Sequence, residues 1–459
     1  MRLVIRPLST LCRSRRRLPF LLTIGALFSL AFILFNVNNH RQQKPIKDPG
    51  YLDVRKTKAK TEPAVTIPML IQKILPGNKQ GRWPIDEQGR SLKTHFLVLD
   101  WNGFFGSGAN EGEKVECPSS GTTFTWTRQQ NRVDDIDFII SHDGQAGMGI
   151  PFDRLQINNE RQQYTMAYVM ESEVHSSTGS AWAKYNFIMT YNLNDSYPEP
   201  ATYFDMNIHL VDLLSPVSVP FEDKDKDAYA VWIISNCNAH NGRQDFVQAL
   251  MKEIKIHSYG GCLNNRQGYG ARMVDNANAY KKYKFVIAIE NSNCADYVTE
   301  KLVKAVESGS IPIVAGYNGR PDYHRYMPDH SYINIFNYSS IKELAEEIKR
   351  IGNDKKLYES YLWYKKHNKN IAELKKMSLD DKLKQFADVV GANITMMTEG
   401  IAGKERSENK ICKLIRFVRQ TPWKEIAEHK KMPRADPGVA CLPSRHILAH
   451  FDSHGAHKN

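Results

Sequence analysis

The sequence predicts an α/β protein, with two Rossmann-like domains facing a cleft after an N-terminal transmembrane helix and a stem. Three observations carry this prediction. Short apolar strand patterns alternate with amphipathic helical patterns from about residue 95 to residue 351, as doubly wound parallel sheets require. Two such runs follow one another, one over 95 to about 210 and one from Ala228 onward. Leu18 to Phe35 is an uncharged run of eighteen residues, enough for a spanning helix and longer than a usual signal-peptide core.

The anchor follows Arg13, Arg15, Arg16 and Arg17, and no small-residue cleavage site comes after it. By the positive-inside rule this reads as an uncleaved signal anchor with its N-terminus in the cytosol. Arg41, Lys44, Lys47, Arg55 and Lys56 lie beyond it, so the orientation rests on the tight Arg cluster. A cleaved signal peptide is the alternative. The resulting boundaries are a cytosolic tail over 1–17, an anchor over 18–37, a polar stem over 38–92, α/β domains over 93–220 and 221–398, and a basic tail over 399–459 of uncertain order.

The net charge of +12 is spread along the chain, with no basic tract interleaved with aromatics, and this argues against a nucleic-acid partner. Cys12 falls on the cytosolic side. Cys117, Cys237, Cys262, Cys294, Cys412 and Cys441 allow up to three disulfides in an oxidising lumen, with the pairing left open. None has zinc-ligand spacing. Sequons at Asn194, Asn337 and Asn393 fit a luminal body.

Within the first α/β run the strand candidates are 95–101, 136–141, 164–170 and 185–192. In the second, 228–235, 284–289 and 311–316 read as buried strands. Helices are expected over 243–256, over 297–308 with Gly309 as the stop, and over 340–351 with Ser340 as N-cap. The stretch Ile289 to Lys301, IENSNCADYVTEK, stands where a strand ends and a helix begins. Such a junction offers free N–H groups and partial positive charge to a phosphate. Lys301 adds a full charge, Glu300 a hydroxyl acceptor, and Asn291 and Ser292 short amide and hydroxyl groups. The competing reading is an ordinary helix start, with Asp296 as N-cap and Glu300–Lys301 facing solvent.

The run from Tyr283 to Gly316, YKFVIAIENSNCADYVTEKLVKAVESGSIPIVAG, resembles the donor-binding motif of the α1,3/4-fucosyltransferase family. The likeness continues through 322–366. VWIISNCNAHNGRQDFVQAL and IHSYGGCLNNR are similar to further family segments, while FLVLDWNGFFG and ESEVHS match it loosely. The IHSYGGCLNNR loop looks most like that of core α1,3-fucosyltransferases.

The resemblance implies a two-domain GT-B enzyme with an acceptor side before 220 and a GDP-fucose side after it. Arg243 and Lys301 would grip the diphosphate. Tyr297 and Glu300 would border ribose and fucose, Asn291 and Ser292 would lie near guanine, and Tyr259 would join the donor site. Glu171 would be the general base, with Glu173 as the alternative, since the two share a face if the segment is extended. Glu300 would also stabilise an oxocarbenium-like transition state.

The implied reaction is inverting α1,3-fucosyl transfer from GDP-β-L-fucose to a GlcNAc of a glycoprotein N-glycan, with the core favoured. LacNAc antennae, protein hydroxyls and a catalytically silent glycan-binding protein are the alternatives. The implied setting is the Golgi membrane, single-pass type II, with a luminal body and a homodimer left open. A divalent metal is not expected to be required, and at most to stimulate. Asp135 and Asp137 form a D-x-D triplet, but before a strand rather than after one, and so read as a solvated loop. The His-rich end (His446, His450, His454, His457) reads as a disordered tail.

Overall fold

The computed structural model describes residues 83 to 455 apart from 104–107, 143–149, 151, 153–162, 177–181, 193–195, 199, 201–202, 204–205, 267–275, 366–369, 391–407 and 430–440. These belong to one compact unit, Lys73–Asn459; the other unit, Met1–Gln72, lies outside the described residues. So do the expected anchor, most of the expected stem, and the sequons at Asn194 and Asn393. Among the described residues no helix is long and apolar enough to cross a membrane.

Two mixed α/β layers are built on two sheets. The strands are β1 (His95–Asp100), β2 (Lys114–Cys117), β3 (Thr122–Thr127), β4 (Phe138–Ser141), β5 (Tyr164–Val169) and β6 (Phe187–Thr190), followed by β7 (Ala230–Ile233), β8 (Ile256–Tyr259), β9 (Phe285–Ile287), β10 (Ile311–Val314) and β11 (Ile333–Asn334). The first sheet runs β2-β3-β1-β4-β5-β6, all parallel except the β2–β3 hairpin. The second runs β11-β10-β9-β7-β8 and is parallel throughout.

Burial on both faces explains why these strands read as unbroken apolar runs. Phe138 and Ile140 face one core and Ile139 the other. In the second sheet Phe285 and Ile287 face one core, and Val286 and Ala288 the opposite one. The helix Arg243–Leu250 buries Phe246, Val247 and Leu250 in the first of these layers, and the helix Glu300–Ser308 buries Leu302, Ala305 and Val306 in the second.

Local signals set the helix ends. Gly309 ends its helix in the left-handed conformation at φ 69°. Ser340 caps Ile341–Asn353 by accepting from the Glu343 N–H. Gly260, after β8, has φ +89°, and a Cβ there would sit 2.5 Å from the Ile234 carbonyl oxygen. No residue with a side chain fits that approach.

Three expectations need correction. The end of the expected stem is folded: Trp83 is buried against Phe96, Phe138 and Tyr164. Asp137 is no solvated loop residue. It is 1% exposed and accepts from Trp83 Nε1, Lys93 Nζ and the Leu97 N–H, each at 2.7 Å, so it pins the start of the first sheet. The C-terminal segment contributes helices. Lys410–Gln420 packs Ile411, Leu414, Ile415 and Val418 on the first sheet, and His446–Gly455 packs Ile447 and Phe451 on the second. The six cysteines close as Cys117–Cys412, Cys237–Cys262 and Cys294–Cys441. Asn337 is exposed at the end of a 3-10 turn.

Candidate active site

Ligands of open parallel sheets bind beyond the carboxyl ends of the strands, and a cleft of about 490 Å³ lies there. Glu171 and Tyr203 line it from the first part of the chain. Ile233, Ile234, Ser235, Asn236, Arg243, Asn291, Tyr297, Glu300 and Lys301 line it from the second. Arg243 and Lys301 stand at the N-termini of helices on opposite faces of the second sheet, so the strand edge between them receives both.

Arg243 follows Gly242, whose left-handed φ of 77° turns the chain into the helix. Its side chain is 2% exposed. One guanidinium nitrogen donates to the Ile289 carbonyl at 2.8 Å and another to the Asn236 carbonyl at 3.4 Å, while Nε has no partner among the described residues. Burial pushes its proton affinity down, and the charge of Glu290 opposes that. Asn241 ties this loop to the next one by donating to the Glu290 carbonyl at 2.8 Å and to Asn293 Oδ1 at 2.7 Å.

Glu290 organises the other helix start. Its carboxylate is buried, and accepts from the Thr299 N–H and Thr299 Oγ1, both at 2.7 Å. Lys301 Nζ lies 3.1 Å from Glu290 Oε2, and donates to Glu300 Oε1 and Thr299 Oγ1 at 2.9 Å each. Three acceptors thus match the three hydrogens of the ammonium. Burial works against the Lys301 charge, but Glu290 and Glu300 outweigh it and hold its pKa above the ordinary lysine value. Burial raises Glu290 despite Lys301. Burial also opposes ionisation of Glu300, but Lys301 prevails and lowers it. The Glu300 side chain is 53% exposed against 1% for Glu290, so Glu300 is the partner an incoming anion can displace.

Glu171 follows β5 and reaches across to the second part of the chain. Its Oε1 accepts from Tyr297 OH at 2.5 Å and from Asn291 Nδ2 at 3.0 Å. Next to it, Ser172 Oγ meets Ser292 Oγ at 2.7 Å. Glu173 does not share its face, because Glu173–His175 is a 3-10 turn rather than extended chain. The Glu173 carboxylate is buried with Tyr191 OH and Asn192 Nδ2, beside the Cys294–Cys441 disulfide, and does not line the cleft. Both cysteines of that neighbourhood are spent on their disulfide, which leaves no metal ligand set there.

The expected residues therefore divide. Glu171, Arg243, Asn291, Tyr297, Glu300 and Lys301 meet on one cleft. Ser292 is fully buried and acts on Asn291, to which its hydroxyl donates at 2.9 Å. Tyr259 is buried, and its hydroxyl meets Tyr283 OH at 2.9 Å. Neither lines the cleft. Asp296 is not the cap of the helix: it has φ +60° and pairs with Arg325 at 2.8 Å, and the helix starts after Thr299. Asp135 and Asp137 are not among the cleft residues. Glu290 and Tyr203 have no role assigned from the sequence. Asn236 falls in the VWIISN strand end whose similarity to the family is noted above, without a role assigned to it; for Tyr203 the sequence holds no signal.

Residues 223–392 match the profile of the glycosyltransferase family 10 (fucosyltransferase) C-terminal domain. The Drosophila melanogaster glycoprotein 3-alpha-L-fucosyltransferase A is 32% identical over 288 residues, 60% of this chain and 53% of that one. A putative fucosyltransferase-like protein of Arabidopsis thaliana is 37% identical over 183 residues, 39% of this chain and 33% of that one. The human 4-galactosyl-N-acetylglucosaminide 3-alpha-L-fucosyltransferase 9 is 31% identical over 200 residues, 43% of this chain and 52% of that one. The chain thus spans about a third to a half of the length of these relatives. A crystal structure of an alpha1,3-fucosyltransferase with GDP-fucose aligns with 65% of this chain and 90% of that one, at 19% identity and a TM-score of 0.43. The loops that carry Arg243, Glu290, Asn291, Tyr297, Glu300 and Lys301 all lie inside the segment that matches this family profile.

Proposed function

We propose that the protein is an inverting α1,3-fucosyltransferase that moves L-fucose from GDP-β-L-fucose to a GlcNAc of a glycoprotein glycan, with the N-glycan core as acceptor. The observation that carries this is the convergence of Glu171, from the first sheet, with Arg243, Glu300 and Lys301, from the second, on one cleft. The family profile matched by 223–392 and the name of the Drosophila relative support the reaction and the glycoprotein acceptor.

In this reading the diphosphate enters between the two helix N-termini and takes Lys301 from Glu300, which is exposed enough to yield. Glu290 stays in place under the ammonium. Freed from Lys301, the Glu300 carboxylate faces the sugar and stabilises positive charge at its anomeric carbon. Among the described residues every hydrogen bond that Glu171 accepts falls on Oε1, so Oε2 is left for the acceptor hydroxyl. As that oxygen attacks, its proton passes to Glu171 and GDP leaves from the opposite face of the sugar. Arg243 and Lys301 offset charge on the leaving diphosphate, and the proposal includes no required metal. It includes a GT-B arrangement of two domains, and an uncleaved anchor over 18–37 holding the body in the Golgi lumen.

The second reading keeps the mechanism and moves the acceptor to LacNAc antennae, as the name of the human relative suggests. The test is transfer from GDP-fucose by the full-length chain to N-glycans with and without antennae, in EDTA and with manganese, alongside Glu171→Gln. Transfer to the chitobiose core that survives EDTA and fails in the variant is the expected result. Transfer only to LacNAc moves the acceptor. No transfer to any acceptor, with no binding of GDP, would overturn the enzyme reading and leave a silent glycan-binding protein.

A further inference from the structure

Asn337 is exposed at the end of the 3-10 turn Ile335–Asn337, and its carboxamide makes no hydrogen bond among the described residues. The amide and hydroxyl groups around it are engaged. Asn334 Oδ1 accepts from the Gly316 N–H at 3.1 Å, and Asn334 Nδ2 donates to the Gly316 carbonyl at 2.7 Å. The Ser339 N–H and hydroxyl both donate to Glu343 Oε2, at 2.8 and 2.6 Å, and Ser340 caps the next helix. A sugar on Asn337 Nδ2 therefore displaces no bond of the turn.

An aromatic patch begins at the same turn. The Phe336 ring stacks on that of His446 at 5.7 Å and 15°, meets Tyr317 at 5.2 Å and takes His450 edge-on at 4.9 Å. Tyr317 lies 6.1 Å from His450 and is 42% exposed. His450 Nε2 donates to the Tyr338 carbonyl at 3.1 Å, which ties the last helix to the residue after Asn337. None of these rings lines the cleft. Exposed apolar patches with polar rims are places where something docks. An aromatic ring suits the C–H face of a pyranose, whose hydroxyls stay in water.

We propose that Asn337 carries an N-linked glycan whose first N-acetylglucosamine units cover the patch of Tyr317, Phe336 and His450. The sugar is rooted on the residue next to Phe336, so it reaches these rings without a second attachment. In the covalent step one Asn337 Nδ2 hydrogen is replaced by the anomeric carbon of the first sugar. The bond from that carbon to a lipid-linked diphosphate breaks, the diphosphate leaves with the electron pair, and the amide proton passes to a base of the transferring enzyme. The proposal rests on the luminal body proposed above.

The test uses the full-length chain made in cells with a secretory pathway. Peptide mapping after enzymatic glycan release in heavy-oxygen water should mark Asn337 as occupied. Asn337→Gln should remove one glycan and lower the Tm by about 2–4 °C. Tyr317→Ala should give a similar shift with the glycan present and a clearly smaller one in the Asn337→Gln background. Asn337 bare while Asn194 or Asn393 is occupied would overturn the proposal and keep the luminal body. All three bare would overturn both, so the two failures are told apart. Equal Tyr317→Ala shifts in the two backgrounds, or a dimer in sedimentation that Tyr317→Ala dissolves, would give the patch to another occupant and overturn the proposal.

Discussion

Replacing Lys301 by Met tests the electrostatics of the cleft without any substrate. The Glu290 side chain is 1% exposed and stands 3.1 Å from the ammonium. At an effective dielectric of about 20, two unit charges at that separation attract by about 5 kcal/mol. Removing one partner of a buried pair costs about 3–5 kcal/mol, because the other charge is left without compensation. The two bonds from Thr299 remain, and they offset only part of the loss. Glu290 has one escape, which is to bind a proton, and burial already raises its pKa.

The sign of the pH dependence follows. A carboxyl whose folded pKa lies above its unfolded value holds a proton in the folded state when the unfolded state does not. Stability therefore falls as pH rises from the unfolded value of about 4.3 through the folded one, by up to about 1.4 kcal/mol per pH unit. The variant pushes the folded value higher and widens that window upward. Thermal or urea unfolding of wild type and Lys301→Met should differ by the full amount near about pH 8, and by less than about half of it near about pH 5. Adding Glu290→Gln to the variant should recover most of the loss. An equal loss at both pH values, or no recovery in the double variant, would refute the idea that Lys301 chiefly neutralises a buried carboxylate.

Two further outcomes test the frame around the cleft. Asp137→Asn leaves Lys93 without its anion and weakens three short bonds; it should lower stability by about 2–4 kcal/mol in urea titrations and leave GDP affinity unchanged. A loss of GDP binding, or of a manganese response, would instead return Asp137 to a metal site. Cys441→Ser opens a disulfide that spans 147 residues and holds the segment whose Leu442 and Arg445 N–H groups bond Asn293 and His240. It should cost about 3–5 kcal/mol in guanidinium unfolding under non-reducing conditions. A midpoint equal to wild type would show that the helix His446–Gly455 holds the segment by itself.

What was legible in the sequence is what depends on nearest neighbours along the chain. Strands covered on both faces, such as FIIS and FVI, declare themselves as apolar runs. Caps such as Ser340 and stops such as Gly309 act within one turn. The β2–β3 hairpin leaves little trace in the sequence because its outer strand, KVEC, buries only Cys117 and lies at the sheet edge, where alternation is weak. The helix begins at Glu300, three residues after the expected start at Tyr297, for a different reason. The group that binds Thr299 is Glu290, nine residues back, and no local rule joins them. The choice between Glu171 and Glu173 was likewise beyond the sequence. The two differ in partners 120 and 18 residues away, Asn291 for one and Tyr191 for the other.

Glu290 is the instructive case, because its burial follows from the alternation of its own strand. It ends the run KFVIAIE, and period-two alternation sets it on the side of Val286 and Ala288. That side is covered by the helix of Leu302, Ala305 and Val306. A carboxylate on that parity at the strand's end points beneath the first turn of the helix, where a buried charge survives only with donors around it. Lys301 and Thr299 are the donors that turn supplies. Parity alone would have predicted that Lys301 is already occupied before any phosphate arrives. The displaceable acidic partner then has to be Glu300, so that the group proposed to face the sugar is released by the event that brings the sugar in.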